Sequence, residues 1–540
     1  MGTDGGTVSH GAVLPQVLVA GNGPVGQTTA LLLARWGVRV LLVDAREVRD
    51  AIGSKAICQQ RDVLDVWDSV GAGAIAREGL TWTRARTFYR DRELSLVTLP
   101  DPGRSPLPPF VNISQSRTEQ LLDQQIAGER LIDVRWGHEV VALDQDGDGV
   151  RARCRTAGGE VLLQTRYAVA CGGARGSALR DSLGLDFPGR SFSDPFLICD
   201  IRAALSGWDQ ERRFYFDPEW NPGRQVLIHP CPDSTYRIDW QVEPDFDLDA
   251  SIGDGSLDRR IRQVIGEQDY ELIWSSVYRF HSRHTRRMRV GRVLLAGDLA
   301  HLFAPFGARG LNSGVGDADN AAWKLAFVLR GWAGPGLLDS YDAERCAAAQ
   351  ENLAVTTATM DFLVPRTPHD TRRRHDLLQR AVDDPGVGQQ IDSGRLAEPY
   401  WYVDSPLTTR DPQRPWPGRP PWGAPPAPVP GVVLPDAPVS AADPGMQRIR
   451  QLVRRQVTAL VGDPQGAPAA AAALDRALPT AVPRQVLALP EIDPTGAVRD
   501  SLQVAADDLW LIRPDAYTAA RVTSPDELAR AARRAIGSPT

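Results

Sequence analysis

Lysine is almost missing from this chain: of its 61 basic residues only Lys55 and Lys324 are lysines, and the others are arginines. Acidic residues number 67, so the net charge is -6. A mildly acidic chain has no electrostatic footprint for DNA, RNA or an anionic membrane surface, and neither is expected as a partner. Cysteine is scarce as well. Cys58, Cys154, Cys171, Cys199, Cys231 and Cys346 are scattered with no C-x-x-C pair. That argues against a zinc site and a disulfide framework and fits a reducing compartment, so no metal is expected. No apolar run approaches the roughly 20 residues of a membrane helix. The opening MGTDGGTVSHGA lacks the basic start and apolar centre of a signal peptide, and residues 1–14 read as a flexible leader of a cytoplasmic protein. At 540 residues the chain is long enough for several domains.

What is present begins with QVLVAGNGPVGQTTALLLARWGVRVLLVD at 16–44. An apolar strand over 17–20 runs into Gly21-Asn22-Gly23-Pro24-Val25-Gly26. A helix carrying Ala30, Leu31, Leu33 and Ala34 follows, and a second strand over 38–43 ends at Asp44. A G-x-G-x-x-G turn between a strand and a helix is a dinucleotide-binding βαβ unit. Gly21 serves the tight turn, Gly23 the close approach of a pyrophosphate, and Gly26 helix–strand packing. The helix N-terminus supplies unpaired N–H groups to the phosphates. Asp44, with Ala45 beside it, is placed to accept hydrogen bonds from an adenosine ribose and to repel a 2′-phosphate. The nucleotide is then FAD or NAD, and this unit leaves the two open.

A second glycine-rich turn occurs at 296–325, AGDLAHLFAPFGARGLNSGVGDADNAAWKL, after a short apolar run. With GRVLLAGDLAH ahead of it, it resembles the second FAD-binding motif of the group A flavin-dependent monooxygenases, the aromatic hydroxylases of phenol, 3-(3-hydroxyphenyl)propionate and polyketide type. The resemblance implies that Gly297-Asp298 binds the ribityl chain. It also implies that Pro305, Gly310, Leu311 and Asn312 belong to the turn beneath the flavin, with Pro305 bordering the ring. The first turn then holds the ADP half of one long cofactor and the second the flavin half. His301 reads as structural, and Asp317, Asn320, Trp323 and Lys324 as fixing the following helix against the sheet. In FVNISQSRTEQLLDQQI at 110–126 the glutamine of the family is Gln115, in a region where Ser116 or Thr118 and Glu119 also suit a helix cap. In GSKAICQQRDVLDVW Arg61 would approach the cofactor, and Val140 lies near the adenine edge. The chain departs from the family at AVACGGARGSALR, where Gly172 replaces the usual aspartate of a motif tied to FAD and NAD(P)H.

The expected fold class is α/β. It comprises a Rossmann-type FAD-binding domain, glutathione-reductase-like in its βαβ unit, over 15–186 and 291–404, and an inserted β-sheet substrate domain over 187–290. A proline-rich linker over 405–445 leads to a thioredoxin-like C-terminal domain over 446–540, which has no cysteine and suits packing or a homodimer contact. In YRIDWQV, Tyr236, Ile238 and Trp240 share one strand face and Arg237, Asp239 and Gln241 the other. Tyr215, His229, Tyr236 and Trp240 are the candidates for the pocket wall, each with a place in the core as the alternative. The resemblance implies an FAD-dependent monooxygenase that takes NADPH or NADH as transient reductant and O2 as oxidant. It would hydroxylate a phenolic substrate through a C4a-hydroperoxyflavin, in natural-product tailoring or, alternatively, in breakdown of a small phenol. A flavoprotein oxidase or epoxidase of the same fold, motivated by Gly172, and an idle flavin-binding partner are the rival readings.

Overall fold

The computed structural model describes residues 15–538 apart from 51–55, 100, 102–103, 392–393, 422 and 441–444; the expected leader lies outside the described residues. The strand Val17–Ala20 is buried throughout, as an apolar strand covered on both faces must be. The helix Pro24–Arg35 starts with proline in its first turn, and the chain then turns at Gly37, whose φ is +71°. The strand Val40–Val43 returns parallel to the first. Around this unit the parallel strands run in the order Val293–Leu295, Tyr167–Ala170, Val17–Ala20, Val40–Val43 and Ile132–Arg135, with Arg289–Val290 antiparallel at one edge. Their register puts Ala20 beside Ala170 and Val43, and Ala170 beside Leu295. Gly21, Asp44, Gly172 and Gly297 therefore emerge along one carboxyl edge, where open α/β sheets bind ligands.

A second sheet of eight strands stands over this edge. Its order is His301–Leu302, Tyr270–His284, Gly189–Ala203, Thr235–Gln241, Gln225–Cys231, Glu211–Phe216, Arg84–Tyr89 and Arg92–Thr98. The sheet is wider than 187–290, because the hairpin of Arg84–Tyr89 and Arg92–Thr98 pairs onto Glu211–Phe216 from a segment assigned by sequence to 15–186. Strand alternation gives it two different faces. Leu197, Cys199, Val226, Ile228, Ile238 and Trp240 pack on Leu257 and Ile261 of the helix Ser256–Ile265. The opposite face presents Phe196, Phe214, Phe216, Leu227 and Phe280 to Ala304 and Phe306 of the second glycine turn.

The C-terminal part is a four-stranded sheet in the order Arg484–Ala488, Val457–Val461, Leu509–Ile512, Thr518–Val522, with the first pair parallel and the others antiparallel. The segment 405–445 is not a free linker. Among its described residues Gly431 and Leu434 donate backbone N–H groups to Thr518 and Ala516, and Val429 and Val432 are buried against Trp401. Proline spares donors in such a stretch, and those that remain pair with the neighbouring sheet.

The unit is held to the helix Arg61–Asp68 by charge. Asp65, fully buried, receives Arg448 at 2.8 Å and Arg454 at 2.6 Å. Asp62 receives Arg450 at 2.6 Å, and Asp68 receives Arg448 at 2.6 Å. Burial raises the Asp65 carboxyl, but Arg454, Arg450 and Arg448 outweigh it and bring it to about 2. A carboxyl held below its unfolded value of about 3.9 stabilises the fold above that pH and ceases to do so as pH falls toward 2. Thermal unfolding followed between pH 5 and pH 2 is therefore expected to show a loss of stability that is smaller in Asp65→Asn, with the remainder coming from other carboxyls held low, Asp317 and Glu344 among them. An equal acid response in both chains would contradict this role.

Candidate active site at the two glycine turns

At the first turn two glycines are demanded by the protein and one is not. A Cβ on Gly21, whose φ is +115°, would lie 2.3 Å from the Cys171 carbonyl oxygen, and one on Gly26 would lie 1.8 Å from that of Gly21. A Cβ on Gly23 would meet no protein atom within 4 Å. The helix begins there with no side-chain cap and no acidic residue in its first turn. Pro24 and Val25 continue the turn, and Val25 is also where the two turns touch. A Cβ on Gly297 would lie 3.1 Å, and one on Gly314 2.6 Å, from the Val25 Cγ2 atom.

The second turn has the same construction. Gly307 has φ +93°, and a Cβ there would lie 2.1 Å from the Arg395 carbonyl oxygen. Ala308 follows in the left-handed region, at φ 56° and ψ 40°, a conformation a residue with a Cβ keeps only where its surroundings impose it. The helix Arg309–Leu329 starts on Ala308, again with no side-chain cap and no acid in the first turn. A Cβ on Gly310 would meet nothing within 4 Å. Two uncapped helix N-termini, each with an open glycine and joined through Val25, are what an anionic, elongated cofactor such as FAD requires. Pro305 and Asp298 are exposed on this side, and Leu311 is half-buried.

Several side chains singled out in the sequence are occupied by the protein itself. Asn312 accepts from the Gln60 N–H at 2.9 Å and donates to the Cys58 carbonyl at 2.9 Å, which clamps the helix start to the strand Cys58–Gln60. Gln115 accepts from the Ala56 N–H at 3.2 Å and donates to Glu119 at 2.8 Å, while Ser114, rather than Ser116 or Thr118, caps the helix Gln115–Ala127. Arg61 donates to the Leu107 carbonyl at 3.0 Å and to Asp101 at 2.9 Å. Asp44 accepts from the Asn22 N–H at 2.7 Å and from the Arg46 side chain at 2.9 Å. Burial raises the Asp44 carboxyl, yet these bonds hold it below its ordinary value. Arg46 thus offsets the charge expected to repel a 2′-phosphate. Ala45 is exposed beside it, and the His138 N–H donates to the Asp44 carbonyl at 2.8 Å, which brings Val140 to the same end. Gly172 is exposed, and a Cβ there would come within 3.2 Å only of Leu179 Cδ1, the tip of a side chain.

His301 is structural in its contacts: it is fully buried, with Nε2 2.8 Å from Asp317. Asp317 also takes the Gly297 N–H at 2.9 Å and Arg345 at 2.6 Å, and so fixes the second turn from behind. The polar atoms of Asn320, Trp323 and Lys324 bond away from the parallel sheet, while the Trp323 ring is buried in the core cluster that includes the strand Val17–Ala20. Asn320 and Lys324 donate to Glu344 at 2.6 Å each, and Trp323 donates to Asp515 at 3.1 Å, tying the helix to its neighbour Asp339–Leu363 and to the C-terminal part.

Of the four pocket candidates, the structure brings His229 to the sheet face that meets the second glycine turn. Its ring centroid is 6.4 Å from that of Trp82, which clusters with Cys58, Phe110 and Ala308. Tyr215, Tyr236 and Trp240 are on the other face. Tyr215 stacks on Phe88 at 4.6 Å, the Tyr236 hydroxyl donates to the Leu205 carbonyl at 3.2 Å, and Trp240 is completely buried under the helix Ser256–Ile265. The period of two forces this result: once Ile238 joins that core, Tyr236 and Trp240 must follow. On the face toward the second turn Ile198, His229, Asp239, Trp274, Ser276 and Tyr278 remain half-buried, an open patch of the sheet.

Comparison with known proteins agrees with this geometry. Residues 15–356 match the model of the FAD binding domain family. The chain is 31% identical over 526 residues to 6-methylpretetramide 4-monooxygenase of Streptomyces rimosus, covering 94% of this chain and 90% of that protein. It is 28% identical over 393 residues to 3-(3-hydroxy-phenyl)propionate/3-hydroxycinnamic acid hydroxylase of Mycolicibacterium smegmatis, covering 71% and 67%. In fold it is similar to the flavin-dependent monooxygenase PieE solved with FAD and substrate, at TM-score 0.84 and 23% identity over 98% of this chain and 100% of that one. Aklavinone-11 hydroxylase with FAD and aklavinone gives TM-score 0.76 at 23% identity, over 97% and 99%. The chain thus belongs to the FAD-binding family of flavin-dependent aromatic monooxygenases.

Proposed function

We propose that the chain is a single-component hydroxylase of a polycyclic phenol in natural-product tailoring, working in the cytoplasm with NADPH or NADH as reductant and O2 as oxidant. The observation that carries this reading is the half-buried patch of aromatic and polar side chains facing the second glycine turn, backed by near full-length similarity to 6-methylpretetramide 4-monooxygenase. FAD, when bound, supplies the electron transfer from nicotinamide and the delivery of one oxygen atom to the ring. Gly23 and the start of the helix Pro24–Arg35 would hold its pyrophosphate, Asp44 with Ala45 and Val140 the adenosine end, and Asp298 the ribityl chain. Pro305, Gly310 and Leu311 would lie against the ring system.

The residues of the chain then orient and exclude. Asn312, Asp317 and Arg345 keep the second turn in place, and Phe196, Phe214, Phe280 and Phe306 close one side of the pocket against water. Positioning of the ring over a fixed turn is the main contribution of the protein. We read the eight-stranded sheet as the substrate domain. The C-terminal part, with its second-first-third-fourth strand order, we read as thioredoxin-like and as a packing unit, since it has no cysteine for redox work. The names of the relatives favour hydroxylation over the oxidase and idle-partner readings. The test is turnover of the FAD-loaded chain with NADPH or NADH, O2 and a panel of two- to four-ring phenols. A product heavier by one oxygen supports the reading; consumption of reductant with peroxide as the sole product under every phenol contradicts it.

A further inference from the structure

The open patch holds a carboxylate that the fold leaves unused. Arg237, two residues away on the same strand, places its guanidinium 2.8 Å from both oxygens of Asp200. Asp239 has no ion pair among the described residues, and its Oδ1 is shielded from solvent without a hydrogen-bond partner there. On the neighbouring strand the Nδ1 atom of His229 is in the same condition. The register pairs Leu227 with Asp239 and His229 with Arg237, so the two orphaned groups are diagonal neighbours on one face, a distance a single bound ring can span. That face meets the second glycine turn through Phe306 and, by way of Trp82, Ala308. Buried acceptors in a folded chain are almost always paired, so an orphaned one on a face that meets the second glycine turn calls for a partner, and a donor carried by a ligand would supply it.

Resting on the hydroxylase reading above, we propose that Asp239 is the acceptor for a hydroxyl of the aromatic substrate. His229 makes the second polar contact, so the site selects rings that carry an O–H donor and removes its proton as the ring is attacked. In that step the substrate O–H bond breaks, its electron pair stays on the oxygen, and the Asp239 carboxylate becomes a carboxylic acid that later returns the proton to water. No electron is exchanged. Removing the proton drives electron density into the ring, which is what attack by an electrophilic oxygen needs. The surroundings suit the task. Burial pushes the Asp239 carboxyl up to about 7, with Arg237 on its own strand and Arg212 on Glu211–Phe216 opposing and Asp200 on Gly189–Ala203 adding to the rise. Burial, Arg212 and Arg237 hold His229 well below its ordinary value, so it is neutral beside that carboxylate. A base poised near neutral pH is the efficient choice for this transfer.

The test uses the full FAD-loaded chain and two probes, 1-naphthol and its methyl ether 1-methoxynaphthalene, with binding read from the perturbed flavin absorbance. The wild type is expected to bind the phenol at least about tenfold more tightly than the ether, and Asp239→Ala is expected to lose that preference while retaining FAD. In turnover, Asp239→Asn is expected to fall about 100-fold near neutral pH and to recover as the pH approaches the ionisation of naphthol, because the phenolate then arrives without its proton. Equal binding of phenol and ether by the wild type, binding of neither, or a loss in Asp239→Asn that is uniform with pH would each overturn the proposal. The wild-type comparison needs no variant to fold. A chain that hydroxylates naphthol yet does not distinguish it from the ether would sink this inference and leave the hydroxylase reading standing.

Discussion

Gly23→Ala is expected to give a chain that folds and melts like the wild type but purifies colourless. The reason lies in the difference between neighbouring glycines. A methyl group at position 23 meets no protein atom within 4 Å, and Gly23 does not occupy the left-handed region, so the apoprotein gains no clash and no backbone strain. The same methyl occupies the space over the first helix N-terminus in which a pyrophosphate would lie. The expected loss is at least about 100-fold in FAD affinity, or about 2.8 kcal/mol. Gly26→Ala should behave differently, because its Cβ would sit 1.8 Å from the Gly21 carbonyl oxygen and the backbone has nowhere to go. That variant should lose stability as well as cofactor. Reconstitution with FAD followed by flavin fluorescence, alongside thermal unfolding of the apoprotein, separates the two cases. A yellow Gly23→Ala chain with unchanged affinity would mean that the pyrophosphate lies elsewhere.

Glu344→Ala is expected to destabilise the protein by about 3–5 kcal/mol, the range seen when one partner of a buried ion pair is removed. Glu344 is buried and takes Lys324 at 2.6 Å, Arg513 at 2.5 Å, Asn320 at 2.6 Å and Ser405 at 2.5 Å, so it joins the helix Arg309–Leu329 to the C-terminal part. Burial raises its carboxyl, but Arg513 and Lys324 outweigh that and hold it well below the carboxylate range. Burial has also brought Lys324 down to about 8, with Glu344 the main opposing influence. Without Glu344 the lysine can shed its proton, which limits the cost and makes it smaller at high pH. Denaturant unfolding at pH 7 and pH 9 should therefore show a larger deficit at pH 7. A deficit below about 1 kcal/mol at both would contradict the role of this cluster as the clamp on the flavin helix.

The two glycine turns were legible in the sequence because both are backbone devices. A glycine turn between strand and helix needs particular residues at fixed offsets, and those at 21–26 and 307–312 stand in strands and helices where expected. Asp298 and Gly297 follow a strand for the same reason. What was harder to read depends on long-range packing. The alternation in YRIDWQV separated two faces, yet only the helix Ser256–Ile265 determines which is core, and Tyr236 and Trp240 lie on that core face. The hairpin from Arg84–Tyr89 to Arg92–Thr98 joined a distant sheet through pairing with Glu211–Phe216, a contact that no local pattern records. Asp62, Asp65 and Asp68 repeat every three residues on one helix, and Arg448, Arg450 and Arg454 answer them almost four hundred positions later. Nothing in the local pattern of either segment records that pairing. The bonds that already occupy Asp44, Gln115, Arg61 and Asn312 likewise belong to tertiary structure.

The most direct measurement is anaerobic. The FAD-loaded chain is mixed with excess NADPH or NADH, with and without 1-naphthol, and the flavin absorbance is followed before air is admitted and the products are analysed. Bleaching that the phenol accelerates, followed on aeration by naphthol carrying one added oxygen, is the expected result, and it would show that Gly172 is tolerated in place of an aspartate. A flavin that stays oxidised with both nucleotides and every phenol tried would contradict the hydroxylase assignment.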